Sequence, residues 1–343
     1  MREEITGHGN VRAALRDTET YSSDIQGDAD VRNYRQIPLE VDPPQHHSYR
    51  TALNPLFVRP RIEKLIPQFT EIAKKLLDEF EKNDGDFIQK VALPYVVRCL
   101  TVIYNRPDDY EEWMSWGADV WVQTPTGRTG EFLHSYLKRV YDESKPEDDD
   151  AWSMVKSIEI DGNVITFKEF LGAGSVMLAG GRDTVVKLNT FSVYHLLNYP
   201  EDAAKLLNGT IAIPAAINEF LRFTSPLPGM MRLAPHAKEK PDNQRVEEDF
   251  VYINFASGNH DESVFPQPDK VDISREKITH VAFGFGPHTC VGNHIAEIET
   301  RILIEQFLPR LSKWKIEKAE VTWQEVNNSK FPGHFESVEI SCG

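Results

Sequence analysis

One of the three cysteines lies in a glycine-rich segment whose residue types suit a bound cofactor. Residues 283–292 read FGFGPHTCVG, and a helical pattern follows them. The N–H groups at the start of a helix favour a thiolate, so Cys290 is placed to act as an anionic ligand. The glycines let the backbone approach a flat molecule, and His288 can donate a hydrogen bond to an anionic group. An isolated cysteine is more often a small buried apolar residue, but this combination of spacings favours a ligand.

The segment resembles the haem-binding loop of the cytochrome P450 superfamily, Phe-x-x-Gly-x-His/Arg-x-Cys-x-Gly. In that family the loop leads into a helix that carries Ala and Glu, which Ala296 and Glu299 match here. The resemblance implies haem b, with Cys290 as the axial ligand of the iron and Phe283 and Gly292 beside the cofactor. A thiolate ligand donates electron density that favours cleavage of the O–O bond.

A second segment and two further residues supply groups for the haem propionates. Residues 42–50, DPPQHHSYR, resemble the family's Asp-Pro-Pro-x-His segment, in which a helix presents His46 and Arg50 on one face. Arg232 resembles a third propionate partner, and His288 a fourth. Two buried carboxylates need such partners, because burying an unpaired charge is costly. Each residue alone could be a solvated surface charge, but four matches in the family's chain order disfavour that interpretation.

Residues 166–198 predict one long helix that opens with a capping box of Thr166 and Glu169 and stops before Pro200. Gly180 and Gly181 interrupt it at a cost of about 1 kcal/mol each relative to alanine. Residues 179–184 resemble the family's groove over the haem iron, where glycines make room for dioxygen. The resemblance implies that the Thr184 hydroxyl bonds iron-bound oxygen and that Asp183 relays protons. Alternatively, both side chains only bond to their own helical turn.

Three further charged residues and one unusual arginine complete the resemblance. Glu219 and Arg222, three apart on one helix face, together with Arg275, resemble the family's structural Glu-x-x-Arg and arginine set, and are expected to be scaffold. Arg182 occupies a variable position between Gly181 and Asp183. It could pair with Asp183 and control proton access, the hypothesis preferred here, or hold a carboxylate of a substrate.

The remaining pattern predicts a fold that is mainly α with a minor β part. An amphipathic helix is expected over residues 59–82 with Pro67 inside it, further helices over 93–104, 110–122 and 132–141, and another after Cys290. Strands are expected over 230–233 and 250–255. The resemblance implies a single cytochrome P450 domain over residues 1–343, with the haem between a long distal helix and the proximal cysteine loop and helix. It also implies that the usual N-terminal helix and part of the first sheet are absent.

Composition limits the other classes of function. Asp and Glu outnumber Lys and Arg by 53 to 38, for a net charge of -15, which disfavours binding to nucleic acid. Three widely spaced cysteines suggest neither a disulfide framework nor a zinc site. The sequence shows neither a signal peptide nor an apolar stretch that would span a bilayer, so a soluble cytoplasmic protein without membrane contact is expected.

These features predict a monooxygenase that acts on a small apolar or amphiphilic substrate. No flavin, nicotinamide or iron–sulfur motif is present, so a ferredoxin or flavodoxin with its reductase is expected as partner, with NAD(P)H used only indirectly. A peroxygenase driven by hydrogen peroxide and a noncatalytic or truncated haem binder remain alternatives. The following residues would line an apolar pocket or belong to the ordinary core: Trp113, Trp116, Trp121, Leu227, Met230, Met231 and Phe335.

Overall fold

Helices make up most of the structure, a computed structural model that describes residues 3–25, 34–116, 130–145, 147–148, 150–241 and 244–343. The helices are α1 His8–Arg16, α2 Gln45–Leu53, α3 Arg59–Glu63, α4 Ile66–Phe80, α5 Leu93–Ile103, α6 Tyr110–Ser115, α7 Glu131–Glu143, α8 Ala151–Lys156, α9 Phe167–Gly180, α10 Asp183–Asn198, α11 Pro200–Leu207, α12 Ile213–Thr224, α13 Phe255–Asn259 and α14 Asn293–Phe307.

Three small sheets account for the β part of the described chain. The strands are β1 Glu3–Ile5, β2 Gly85–Asp86, β3 Glu159–Ile160, β4 Asn163–Val164, β5 Gly229–Leu233, β6 Phe250–Asn254, β7 Trp314–Val326 and β8 Ser329–Cys342. The sheet orders are β1-β6-β5, β2-β8-β7 and β3-β4. β1 pairs parallel with β6, so the start of the chain joins a sheet built from residues about 250 positions later. The prediction of a mainly α fold with a minor β part is confirmed.

Local sequence explains where several helices begin. The predicted helix over residues 59–82 is two helices, α3 and α4, and Pro67 lies in the first turn of α4, where its missing N–H leaves no bond unmade. The strands predicted at 230–233 and 250–255 are β5 and β6. The long β7–β8 hairpin was not predicted, because its register shifts break the alternation of apolar and polar residues.

The prediction of one unbroken helix over residues 166–198 is wrong. The capping box of Thr166 and Glu169 does open α9, but α9 ends at Gly180 and α10 begins at Asp183. Gly181 and Arg182 form a turn between the two helices. Two adjacent glycines lower the cost of leaving the helix at this point, which is why the break occurs here.

The core lies where α14 packs against α4, α10 and α12. The predicted apolar stripe of α14 is buried: Ile295, Ile298, Ile302, Leu303 and Phe307. Because α14 follows the cysteine loop directly, this packing fixes the loop relative to α10. No helix in the described part of the chain is long and apolar enough to cross a bilayer.

Candidate active site

The cysteine loop has a conformation that requires glycine at two positions. Gly284 and Gly286 have φ angles of 69° and 74°, in the left-handed region. A Cβ on Gly286 would also lie 2.9 Å from the carbonyl oxygen of Leu15 in α1. The N–H of Cys290 donates to the carbonyl of Phe283 at 2.8 Å, which closes the loop. The loop is therefore a fixed turn seated on α1.

The Cys290 side chain is accessible from outside the protein, three residues before the start of α14. The protein packed around its thiol raises the pKa, while the Gly292 N–H and the Arg50 guanidinium act to lower it. Burial has the larger effect, so the helix start alone does not produce a thiolate here.

The ring of His46 contacts that of His288, a residue of this loop, at an interplanar angle of 43°. Their ring centroids are 4.0 Å apart, although 242 positions separate them in sequence. His46 is buried on α2, and its Nε2 has no hydrogen-bond partner. Burial lowers the pKa of His46 to about 4 and that of His288 to about 3, so both rings are neutral at pH 7. His288 Nε2 lies 3.1 Å from the hydroxyl of Ser23.

Arg50 and Arg232 add two guanidinium groups beside His46 and His288, and these four residues form one cluster. Arg50 donates to the carbonyl of Thr289, next to Cys290, and Arg232 is buried on β5, where it donates to the carbonyl of Met231 at 2.8 Å. Within the described ranges, these groups bond to main-chain carbonyls and to no carboxylate. Burial lowers the pKa of Arg232 to about 10. The structure thus brings together the four residues predicted to bind the propionates: His46, Arg50, Arg232 and His288. In the described chain no carboxylate hydrogen-bonds to either guanidinium, and Asp42 acts on Arg232 only through its charge.

The two glycines of the distal helix have different surroundings. A Cβ on Gly180 would meet nothing within 4 Å, whereas a Cβ on Gly181 would lie 2.9 Å from Leu100 Cδ2 of α5. Only Gly180 therefore opens space at the groove. Gly181 instead allows α5 to pack closely against the break. The expectation that both glycines make room for a ligand therefore does not hold for Gly181.

Asp183 and Thr184 lie at the start of α10, directly after the break. The Thr184 hydroxyl donates to the Gly180 carbonyl at 3.2 Å, and the Asp183 side chain is 73% exposed. Arg182 is largely buried; its Nε lies 3.6 Å from Asp183 Oδ1, and it donates to the carbonyl of Trp116 at 3.0 Å. The structure therefore contains the pairing of Arg182 with Asp183 that the sequence led us to prefer.

Glu219, Arg222 and Arg275 meet in a buried network. Arg222 donates from Nε to Glu219 Oε2 at 2.8 Å and from Nη2 to Glu219 Oε1 at 2.7 Å. Arg275 Nε also donates to Glu219 Oε1, at 3.1 Å. Arg222 also donates to the carbonyls of Asn259, Pro268 and Lys270, which lie in the chain leading to the cysteine loop. The network joins α12 to that part of the chain.

Comparison with known proteins gives consistent matches along the chain. A sequence model described as cytochrome P450 matches residues 212–331. Cytochrome P450 107B1 of Saccharopolyspora erythraea is 30% identical over 79% of this chain and 69% of its own length. A probable cytochrome P450 127A1 of Sinorhizobium fredii is 30% identical over 92% of this chain and 78% of its own length. The chain belongs to the cytochrome P450 family.

The fold agrees with that assignment. A solved structure of a carbohydrate-active cytochrome P450 superposes with a TM-score of 0.84 at 28% identity, covering 99% of this chain and 92% of the other. This cytochrome P450 is accordingly a haem-thiolate monooxygenase, an oxidoreductase that incorporates oxygen.

The residues of this cytochrome P450 fit the haem that the family carries. A haem with two propionates needs cationic or hydrogen-bonding partners, and the cluster offers an unpartnered buried nitrogen on His46 and two guanidinium groups with no carboxylate. Cys290 presents an accessible sulfur beside them, and Phe283 is partly buried in the same loop. Gly292 carries no side chain that could block the sulfur, which lies 3.8 Å from the position of its missing Cβ.

Several residues considered for the substrate pocket belong to the core instead. Trp113 and Trp116 are buried against Tyr136, and Phe335 is buried against Phe191. Met230 and Met231 are partly exposed on β5, Leu227 is exposed, and Trp121 lies outside the described residues. Trp and Phe at helical or strand spacing pack a core as readily as they line a pocket, so the sequence could not separate the two cases.

Two contacts of the cysteine loop were not predicted. Ser23 faces His288, and the Phe285 ring lies between the guanidinium groups of Arg12 and Arg16, 4.1 and 4.4 Å from its centroid. The spacing of Arg12 and Arg16, four apart on one helix face, was the available signal for the second contact. No local pattern pointed to Ser23.

Proposed function

We propose that this cytochrome P450 inserts one oxygen atom of dioxygen into a small amphiphilic or apolar organic molecule, using electrons from a separate protein. One observation carries the proposal: His46, Arg50, Arg232 and His288 lie together at the loop of the accessible Cys290, and in the described chain neither guanidinium hydrogen-bonds to a carboxylate. A flat dianionic cofactor with a metal centre matches that arrangement of charge and ligand.

The cofactor in this proposal is haem b. Cys290 would ligate the iron, the four donor groups would hold the propionates, and Phe283 and Gly292 would lie against the macrocycle on the proximal side. When bound, the haem supplies the redox centre at which dioxygen is activated. Glu219, Arg222 and Arg275 act as scaffold, since they join α12 to the segment that precedes the loop and face only protein groups.

The oxygen side of the site is the break between α9 and α10. Gly180 leaves space there, and the Thr184 hydroxyl is held at the break by its bond to the Gly180 carbonyl. Asp183 is largely exposed, so its carboxylate can exchange protons with solvent, and we assign to it and Thr184 the delivery of protons to the groove. Arg182, paired with Asp183, would control that delivery.

Electrons would come from a ferredoxin or flavodoxin and its reductase, with NAD(P)H as their indirect source. The support for a separate electron donor is that the sequence contains no flavin, nicotinamide or iron–sulfur motif of its own.

A cavity of about 590 Å³ lies between the start of α2 and the start of α9. Charged groups that include Lys168 and Glu169 line it together with apolar Ile37 and Val41. It lies at the opposite end of α9 from Gly180, so the proposed substrate class does not rest on it.

The proposal is tested first on the ligand and then on the oxidant. The ferrous protein with carbon monoxide should show the strongly red-shifted Soret band of thiolate ligation, and Cys290→Ser should lose it. A folded, haem-supplied protein that binds no haem would reject the proposal. Next, substrates that shift the ferric spin state are compared under ferredoxin-driven and peroxide-driven conditions. Turnover with peroxide alone, unaffected by Thr184→Ala, would identify a peroxygenase, and failure with both oxidants would indicate a noncatalytic haem binder.

A further inference from the structure

A buried tyrosine contacts the distal helix at the point where it breaks. The hydroxyl of Tyr104, which follows α5, donates to the carbonyl oxygen of Met177 in α9 at 2.9 Å. Tyr104 is 2% exposed, and its ring lies against Trp113 and Trp152, with centroids 6.4 and 5.5 Å away. Burial raises the pKa of the hydroxyl, so it remains a donor.

The position of Met177 gives this bond its importance. The last four carbonyls of a helix have no partner within it, and α9 ends at Gly180, so Met177 is the first residue of that group. A buried carbonyl without a partner is unfavourable, because it has lost its hydrogen bonds to water. Tyr104 supplies the partner for Met177, just as the Thr184 hydroxyl does for Gly180. Two carbonyls in the last turn of α9 are therefore bonded by side-chain hydroxyls.

We propose that Tyr104 is a positioning residue that holds the break between α9 and α10, and through it the Thr184 hydroxyl, by bonding the Met177 carbonyl. Leu100, one turn earlier on α5, packs on Gly181 and makes a separate apolar contact between α5 and the break. Arg182 makes a second attachment by donating to the Trp116 carbonyl. The inference rests on the proposed role of Thr184 for its functional consequence, but not for the geometry itself.

Tyr95 provides a matched control on the same helix. It is 0% exposed, and its hydroxyl also donates to a main-chain carbonyl, that of Glu299 in α14, at 3.0 Å. Tyr104→Phe and Tyr95→Phe therefore each remove one buried hydroxyl that bonds a helix carbonyl. Only the first of these carbonyls lies at the break.

The test is hydrogen–deuterium exchange of the haem-loaded enzyme, followed in peptides that cover residues 177–180, the last turn of α9, whose N–H groups bond within the helix. Tyr104→Phe should speed exchange of these amides about fivefold, the factor for one lost hydrogen bond, whereas Tyr95→Phe should leave them unchanged. With a surrogate ferredoxin and reductase, Tyr104→Phe should also divert a larger share of electrons to hydrogen peroxide than Tyr95→Phe does. Exchange that is unchanged or slower at residues 177–180 in Tyr104→Phe would overturn the proposal.

A further variant separates the hydroxyl from apolar packing and remains informative if Tyr104→Phe does not fold. Leu100→Ala removes the contact with Gly181 but keeps the hydroxyl, so exchange at residues 177–180 should stay close to that of the wild type. Fast exchange in Leu100→Ala would show that apolar packing, rather than the Tyr104 hydroxyl, fixes the break, and would contradict the proposal. The exchange result is independent of whether the enzyme proves to be a monooxygenase, so the two proposals can fail separately.

Discussion

The imidazole rings of His46 and His288 lie 4.0 Å apart and bring the start of α2 against the cysteine loop. Both rings are kept neutral by burial, and Arg50 and Arg232 lower both pKa values further, so the rings do not repel each other. The pair thus closes one side of the cation cluster without adding charge to it.

The cluster should govern how firmly haem is retained. Arg232→Leu removes a buried guanidinium without a carboxylate partner in the described chain, so we expect haem to leave about 10 to 100 times faster, for a charged hydrogen bond of about 1.5 to 3 kcal/mol. The rate of haem transfer to apomyoglobin measures this. Arg301→Leu, which breaks an ion pair with Glu305 away from the cluster, serves as control. Equal rates of haem transfer for the two variants would show that Arg232 does not hold the haem.

The buried Glu219 network should dominate the stability of α12 and the segment before the loop. Glu219→Gln leaves Arg222 buried without its counter-charge, which costs about 3 to 5 kcal/mol. Urea unfolding of the haem-loaded protein should show that loss. Glu305→Gln, in a partly exposed pair, should cost less than about 1 kcal/mol. A loss of similar size in both variants would contradict the scaffold assignment.

The two glycines at the break should respond in opposite ways to alanine. Gly180→Ala should retain or gain up to about 1 kcal/mol of stability, because alanine favours the helix, but should slow carbon monoxide binding since its methyl group enters open space. Gly181→Ala should lose about 1 to 3 kcal/mol by crowding Leu100. Flash photolysis and urea unfolding separate the two effects. If carbon monoxide binding is slower in Gly181→Ala and unchanged in Gly180→Ala, then Gly181, and not Gly180, makes room for the ligand.

Lys187 should make stability depend on alkaline pH. Burial lowers its pKa from 10.5 to about 8, so the folded state disfavours its charge. The resulting destabilisation is complete below pH 8 and disappears as the pH rises from 8 to 10.5. Lys187→Met should therefore raise the free energy of unfolding by about 1 to 3 kcal/mol at pH 7, and the gain should shrink by pH 9.5. A gain that is constant with pH would exclude this explanation.

The pairing of Arg182 with Asp183 should affect the use of protons rather than the fold. Arg182→Ala frees Asp183 and removes the bond to the Trp116 carbonyl, so a larger fraction of electrons should appear as hydrogen peroxide. The ratio of product to NADH consumed is the measurement, with Arg59→Ala as a surface control. Unchanged coupling in Arg182→Ala would count against the control of proton access.

Much of the site could be predicted because its signals are local. Cys290, His288 and the left-handed glycines lie within ten residues, and His46 and Arg50 lie one helical turn apart. The stripe on α14 follows from periodicity in the same way. Each of these patterns is short enough that its geometry does not depend on distant parts of the chain.

Features that depend on distant contacts could not be predicted. Periodicity over residues 166–198 indicated a continuous helix, and it gave no sign that Leu100 packs on the break or that the Tyr104 hydroxyl bonds the Met177 carbonyl, some 75 residues away. The difference between Gly180 and Gly181 has the same cause. Trp113 packs in the core because of the direction in which its side chain points, and the composition of the sequence carries no information about that direction.

The bond between Ser23 and His288 spans 265 positions of the sequence, and β1 pairs with β6 over a similar span. During synthesis on the ribosome, the first 25 residues must therefore wait for nearly the whole chain before they meet their partners. A nascent chain that ends before Cys290 carries His46, Arg50 and Arg232 but lacks His288 and the cysteine that we propose as the ligand of the iron. Under that proposal, haem is captured through Cys290 only after residue 290 has been synthesised, so retention of the cofactor reports that segments made early and late have met.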